Sequence, residues 1–253
     1  MCDVCGCVNP SDHVHVAGAI LHSQTGRQIE VLQAMLHDND RQADHNRAHF
    51  DAAGVLVVNL MSSPGAGKTS LLEATIRALK GRLTIAVIEG DLETENDARR
   101  IRDAGAAAVQ ITTGNACHLD ATMVHAALHT LALREIDILF IENVGNLVCP
   151  ASFDLGQHRN VVLLSVTEGD DKPEKYPVMF RAADLLAISK TDLTEAVGDF
   201  QTLRALRHFR HLANAAPMLE ISARKGDGMA AWTGWLLAEH EARRPAQAKH
   251  AHD

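Results

Sequence analysis

The segment Ser62-Ser63-Pro64-Gly65-Ala66-Gly67-Lys68-Thr69 limits what this chain can fold into more than any other stretch of its 253 residues. The short apolar, β-branched run VLVVNLM (55–61) precedes it, and a helical pattern starting near Thr69 follows. Such a run reads as a buried central strand. A strand, a glycine-rich turn and a helix in succession form the setting in which backbone N–H groups turn inward around phosphate oxygens. Lys68 adds a point charge at the β- and γ-phosphates, and the Thr69 hydroxyl can ligate Mg²⁺. Gly65, Ala66, Gly67, Lys68, Thr69 and Ser70 are therefore the expected nucleotide-binding residues, with Lys68 also counted as catalytic. Ser62 stands where the common pattern has glycine, but the GAGKT half is intact.

Strand and helix patterns alternate along the rest of the chain. LTIAVIEG (83–90), AVQIT (108–112), DILFIEN (137–143), NVVLLSV (160–166), DLLAIS (184–189) and MLEIS (218–222) are further strand candidates. Helical stretches are expected at 94–104, 118–134, 174–183, 195–213 and 228–243. That order predicts an α/β fold of the P-loop NTPase kind. Its sheet is mostly parallel, with helices on both faces and sites at the carboxyl ends of the strands. Residues 1–24 lack a steady apolar period and read as a flexible metal-binding arm. The remaining expected units are an N-terminal helix at 25–52, the nucleotide-binding domain at 53–245 and a polar tail at 246–253.

Composition removes several function classes. Thirty-two acidic residues against 24 basic ones give a net charge of −8, which argues against a nucleic-acid backbone as partner. Neither a membrane-spanning apolar run nor a secretory signal is visible, so a cytoplasmic location is expected. Clustered thiols in that compartment serve metals more often than disulfides.

Three later segments favour guanine nucleotides. Ser189-Lys190-Thr191-Asp192, at a strand end, has the form of a guanine-reading N/T-K-x-D turn, with serine in the first position. Asp192 would accept hydrogen bonds from the guanine N1–H and exocyclic amine, while the Lys190 stem packs on the base. Ser222-Ala223-Arg224 follows the last strand and would back the base. Glu142-Asn143-Val144-Gly145 ends another strand, where Glu142 could support Mg²⁺ and Gly145 could approach the γ-phosphate. Asp91 is the expected switch carboxylate near Mg²⁺ or the attacking water. Asp97, inside a helical stretch, is read as a solvated charge.

Two constellations carry metal chemistry. Cys2, Cys5 and Cys7 crowd the first seven residues, with the terminal amine beside them. Three thiolates plus an amine suit square-planar Ni(II) or Cu(II); a merely reactive tail and a zinc site completed by His13 or His15 are the other options. Cys117-His118 and Cys149 fall at strand ends on the expected nucleotide edge. Two thiols and an imidazole suit Zn²⁺ or Ni²⁺ and leave a position open. His22, His37, His45, His49, His125, His129 and His158 are spread along the chain and are read mostly as solvated or helix-surface residues.

Together these segments resemble the hydrogenase-maturation nickel GTPases of the HypB type, P-loop GTPases of the SIMIBI class. The resemblance runs nearly end to end. It is most specific in the N-terminal CxxCGC, SSPGAGKT, EGDLETENDA (89–98), TGNACHLDA (113–121), FIENVGNLVCPASFDLG (140–156) and VTEGDDKPEKYP (166–177). It implies a GTPase of slow intrinsic turnover, using GTP and Mg²⁺, that helps insert nickel into the large subunit of [NiFe]-hydrogenase. It also implies a nickel site at Cys2, Cys5 and Cys7, and a zinc or nickel site at Cys117, His118 and Cys149 near the interface of a nucleotide-dependent homodimer. The expected partners are the hydrogenase large subunit and a small zinc/nickel accessory maturation protein, with neither nucleic acid nor membrane. A urease-type nickel GTPase, a nucleotide-gated zinc or nickel storage protein and a small-molecule kinase are the competing readings.

Overall fold

The computed structural model describes residues 13–16, 19–22, 26–91, 95–114 and 116–243, with side chains from residue 35 onward. Cys2, Cys5, Cys7 and the 246–253 tail lie outside the described residues.

Within the segment expected as an arm, β1 (His13–Val16) and β2 (Ala19–His22) pair antiparallel. The long helix α1 (Gly26–Ala53) follows. The core then alternates: β3 (Leu56–Met61), α2 (Lys68–Leu79), β4 (Ile85–Asp91), α3 (Asn96–Ala104), β5 (Ala107–Thr112), α4 (Ala121–Leu128), β6 (Ile138–Glu142) and β7 (Arg159–Ser165). It closes with α5 (Lys172–Lys175), α6 (Pro177–Arg181), β8 (Leu185–Ser189), α7 (Thr194–Val197), α8 (Thr202–His211), β9 (Met218–Ile221) and α9 (Met229–Arg243).

β3 to β9 form one seven-stranded sheet in the order β5-β4-β6-β3-β7-β8-β9, and every pairing in it is parallel. The strand that feeds the phosphate loop is thus the middle one. Its side chains alternate between the two faces. Leu56, Val58 and Leu60 join the layer under α2, α3 and α9, whereas Val57 and Met61 join the layers under α1, α4, α6 and α8. All six β3 residues are buried, so the run reads as continuously apolar except at Asn59. Asn59 lies within a polar row: its amide donates to Asn160 Oδ1 (3.1 Å) and its carbonyl accepts from Asn143 Nδ2 (3.3 Å).

Three helical expectations are corrected. The 118–134 stretch is α-helical only over Ala121–Leu128, where Asp120 caps it by accepting from the Met123 N–H (2.8 Å), and a short 3-10 turn at Leu133–Glu135 follows. The 174–183 stretch divides into α5 and α6, because Pro177 has no N–H to continue the first helix. The 195–213 stretch divides into α7 and α8 at Gly198, whose φ of 78° takes the chain out of the helix.

Candidate functional site

Helix α2 begins directly at Lys68, and Gly67 before it sits at φ 99°, a conformation only glycine enters freely. Pro64, Gly65 and Gly67 of the loop line a cleft of about 460 Å³. Lys68, Thr69, Glu89, Asp91, Asp97 and Glu142 are among the residues that line this cleft. The Lys68 ammonium donates to Ser62 Oγ (3.1 Å), and Ser62 Oγ donates to the Ser63 carbonyl (2.7 Å). Serine at the position where glycine is usual is therefore absorbed by hydrogen bonds within the loop.

Thr69 Oγ1 donates to Glu142 Oε1 (2.9 Å) from the end of β6. Carboxylate oxygens of Glu89, Asp97 and Glu142 all lie within 4.8 Å of one another. Burial, reinforced by Glu142, Asp91 and Asp97, pushes the Glu89 carboxyl up to about 8. Burial likewise pushes Glu142 up to about 7, against the pull of Lys68 and the Thr69 hydroxyl. Oε2 of each glutamate is buried without a protein hydrogen-bond partner. Unpaired buried carboxylate oxygens beside a threonine hydroxyl at a phosphate loop fit an oxygen-seeking divalent cation such as Mg²⁺.

Asp97 is thus not the solvated charge expected from its helical setting. It stands in the first turn of α3, which faces the carboxyl edge of β4 and β6. Sequence reasoning also passed over Glu89. The available signal was the two-residue spacing of Glu89 and Asp91, which places both on one side of β4. Arg100 lines the same cleft, held by Glu73 (2.9 Å) and Asp97 (2.9 Å).

Gly145 meets the phosphate loop from the β6 side. A Cβ there would come within 2.8 Å of Pro64 Cα, so only glycine permits this approach.

Beyond Gly67 and Ser70 the cleft continues into a second pocket of about 270 Å³. Lys190, Asp192 and Ala223 line it, together with Arg224. Ser189 Oγ donates to the Ala66 carbonyl (2.6 Å), tying the end of β8 to the phosphate loop. Asp192 Oδ1 accepts from Ser222 Oγ (2.8 Å), which orients that carboxylate and leaves its other oxygen for a ligand. Lys190, at φ 58°, holds its stem above Gly67. The pocket therefore offers an aimed carboxylate and an alkyl platform at one end of a phosphate cleft.

Cys117, His118 and Cys149 also converge, with ligand atoms mutually within 4.8 Å. The two sulfurs lie 2.8 Å apart as free thiols, farther than the about 2.05 Å of a disulfide. Burial, with Cys117 beside it, pushes the Cys149 thiol up to about 11. Burial lowers His118, which stacks on Phe153 at 3.9 Å between ring centroids. A neutral imidazole and two thiols that ionise on binding suit Zn²⁺ or Ni²⁺.

The nucleotide cleft and the thiol set are joined through backbone. Asn143 Oδ1 accepts from the Leu119 N–H (3.2 Å), and Asn146 Nδ2 donates to the Cys117 carbonyl (3.4 Å).

A family model for the nucleotide-binding domain of CobW/HypB/UreG proteins matches residues 56–220. The hydrogenase maturation factor HypB of Rhizobium leguminosarum bv. viciae is 53% identical over 223 residues, or 88% of this chain and 73% of that protein. The chain belongs to the HypB family. A HypB protein of Helicobacter pylori, named a hydrogenase/urease maturation factor, is 42% identical over 83% of this chain and 88% of its own length. The crystal structure of HypB from Helicobacter pylori in complex with nickel superposes with a TM-score of 0.78 at 42% identity, covering 85% of this chain and all of that one. The parallel seven-stranded architecture is thus a HypB fold. Among the described residues no helix is long and apolar enough to cross a membrane.

Proposed function

We propose that this chain is a GTP-hydrolysing nickel metallochaperone that helps insert nickel into the large subunit of [NiFe]-hydrogenase. The observation that carries the reading is the segment from Glu142 to Cys149. One end bonds to Thr69 in the phosphate cleft, Gly145 lies against the phosphate loop, and the other end supplies a thiol to the Cys117/His118 set. Family membership supports the reading, as does the nickel held by the Helicobacter pylori relative.

In this account Asp192 and Lys190 hold the guanine, backed by Ser222 and Ala223. Gly65, Ala66, Gly67, Lys68, Thr69 and Ser70 surround the phosphates, with Lys68 on the β- and γ-oxygens. Thr69 and Asp91 would hold Mg²⁺, with Glu89, Asp97 and Glu142 beside them, and the ion would neutralise charge on the phosphates. Gly145 admits the γ-phosphate side of the nucleotide, so presence or loss of that group shifts the Glu142–Cys149 segment. Cys149 then moves relative to Cys117 and His118, and the affinity for nickel or zinc changes. Cys2, Cys5 and Cys7 would be the separate nickel-holding hook. The domain would dimerise with nucleotide bound, and a small zinc/nickel accessory protein would share the delivery, in the cytoplasm. Residues 1–24, 25–52 and 53–245 would then be hook, helix and switch.

The test is phosphate release with GTP and with ATP, alongside nickel binding by equilibrium dialysis. GTP is expected to turn over slowly and ATP negligibly. Lys68→Ala is expected to abolish hydrolysis and leave nickel binding at the hook intact. Turnover of ATP alone would defeat the Asp192 assignment, and equal loss of both functions in a folded variant would defeat the two-module account. The name of the Helicobacter pylori relative supports a second target, urease, which complementation of strains lacking each maturation pathway distinguishes.

A further inference from the structure

The histidines of α1 and α4 were expected as dispersed surface residues, yet four of them converge. His45 and His49 are one turn apart on α1 and so share a face. His125 on α4 and His129 at its C-cap form the same spacing. Ring centroids lie 4.5 Å apart for His45 and His49, 5.1 Å for His45 and His125, 5.7 Å for His49 and His125, and 4.9 Å for His125 and His129. One ring nitrogen from each of His45, His49 and His125 lies within 4.8 Å of the others. Nε2 of His45 and Nε2 of His49 are only 3.0 Å apart, a contact that requires a lone pair on one of them.

A second observation comes from beneath the cluster. Asn46 is wholly buried, and its amide hydrogens go to the carbonyls of Ala121 (2.8 Å) and Leu155 (3.2 Å). That fixes its oxygen as the atom 3.0 Å from His125 Nδ1. An amide oxygen only accepts, so Nδ1 of His125 carries the proton and Nε2 keeps the lone pair. A buried acceptor that sets tautomer and ring orientation is the usual support of a metal-ligating histidine.

We propose that His45, His49 and His125 form a third metal site, taking a borderline divalent cation of the Zn²⁺ or Ni²⁺ class. An all-imidazole set selects these over Mg²⁺ or Ca²⁺. Tetrahedral coordination at the usual Zn–N length needs nitrogens about 3.3 Å apart. His45 and His49 are exposed and can close that gap by side-chain rotation. Three ligands leave a position for water or for His129, so bound metal is exchangeable. The site shares no ligand with the cysteine sets, and its occupancy does not depend on the GTP-switch reading.

The experiment uses the full chain carrying Cys2→Ser, Cys5→Ser, Cys7→Ser, Cys117→Ser and Cys149→Ser, dialysed against Zn²⁺, Ni²⁺ or Co²⁺ alone. One equivalent should bind, and the Co²⁺ spectrum should show d–d bands without thiolate charge transfer. Adding His45→Asn and His49→Asn should weaken binding by on the order of 100-fold at an unchanged melting temperature. His37→Asn, on the same helix, should leave it unaltered. Absence of binding by the five-serine chain, or full affinity after His45 and His49 are replaced, would overturn the proposal.

Discussion

In the proposed account Asp192 concentrates the nucleotide choice in one side chain. Its carboxylate is aimed by Ser222, so replacing Asp192 with Asn keeps the shape but turns a double acceptor into a mixed donor and acceptor. Affinity for GTP should fall by roughly 10- to 100-fold, the worth of a charge-assisted hydrogen bond. A xanthine nucleotide, which offers an acceptor where guanine has its amine, should bind better than GTP; competition against a fluorescent nucleotide checks both. The cleft carboxyls make a second prediction. The folded, metal-free protein keeps protons on Glu89 up to about pH 8 and on Glu142 up to about 7, whereas the unfolded chain releases them near 4.5. Stability should therefore fall as pH rises from 6.5 to 8. His158, pushed down to about 4 by burial, acts in the opposite sense only below its ordinary 6.5. Melting curves at the two pH values should show the fall, Glu89→Gln should reduce it, and Mg²⁺ should stabilise more at pH 8. The contiguous motifs, Gly65 to Ser70 and Ser189 to Asp192, were legible because their chemistry is encoded within a few residues. Asp97 and the histidines of α1 and α4 were not, because tertiary packing brings them to their neighbours.

Among the elements, the strands were easiest to read. Those of the seven-stranded sheet are short apolar runs, largely buried in its middle and only half-buried at β5 and β9, and their bounds fall within about two residues of those expected, whereas β1 and β2 stand in a segment read as a flexible arm. Helices broken at Pro177 and Gly198 were harder, since apolar spacing continues across both breaks. The seating of α1 could not be read at all. It depends on Asn39, which donates to the Asp154 carbonyl (2.9 Å) and accepts from the Ala121 N–H (2.9 Å), and on Arg47, which pairs with Asp154 (2.6 Å). Polar residues on a helix give no hint from spacing that they are buried anchors. On the opposite layer α9 is held to α2 by Trp232, fully buried, whose Nε1–H donates to Thr75 Oγ1 (2.8 Å). Trp232→Ala should cost about 3–5 kcal/mol in denaturant unfolding, because it removes a large core side chain and leaves a cavity. Trp232→Phe should recover most of that packing while losing only the hydrogen bond.

At the scale of the molecule, the central position of β3 brings both chemistries to one edge. The phosphate loop leaves β3 directly, and β6 beside it runs on through Glu142 and Gly145 to Cys149. Cys117→Ser with Cys149→Ser should therefore remove the one equivalent of nickel or zinc held by the thiol set while GTP still binds, read by dialysis and nucleotide titration. In the wild type the two should not titrate independently. A stretch of backbone that two ligands each pull upon obeys reciprocity: whatever factor GTP applies to the dissociation constant of the metal, the metal must apply to that of GTP. Four titrations, each ligand with and without the other, close a thermodynamic square around the segment from Glu142 to Cys149. In such a square the cargo weighs on the clock as heavily as the clock weighs on the cargo.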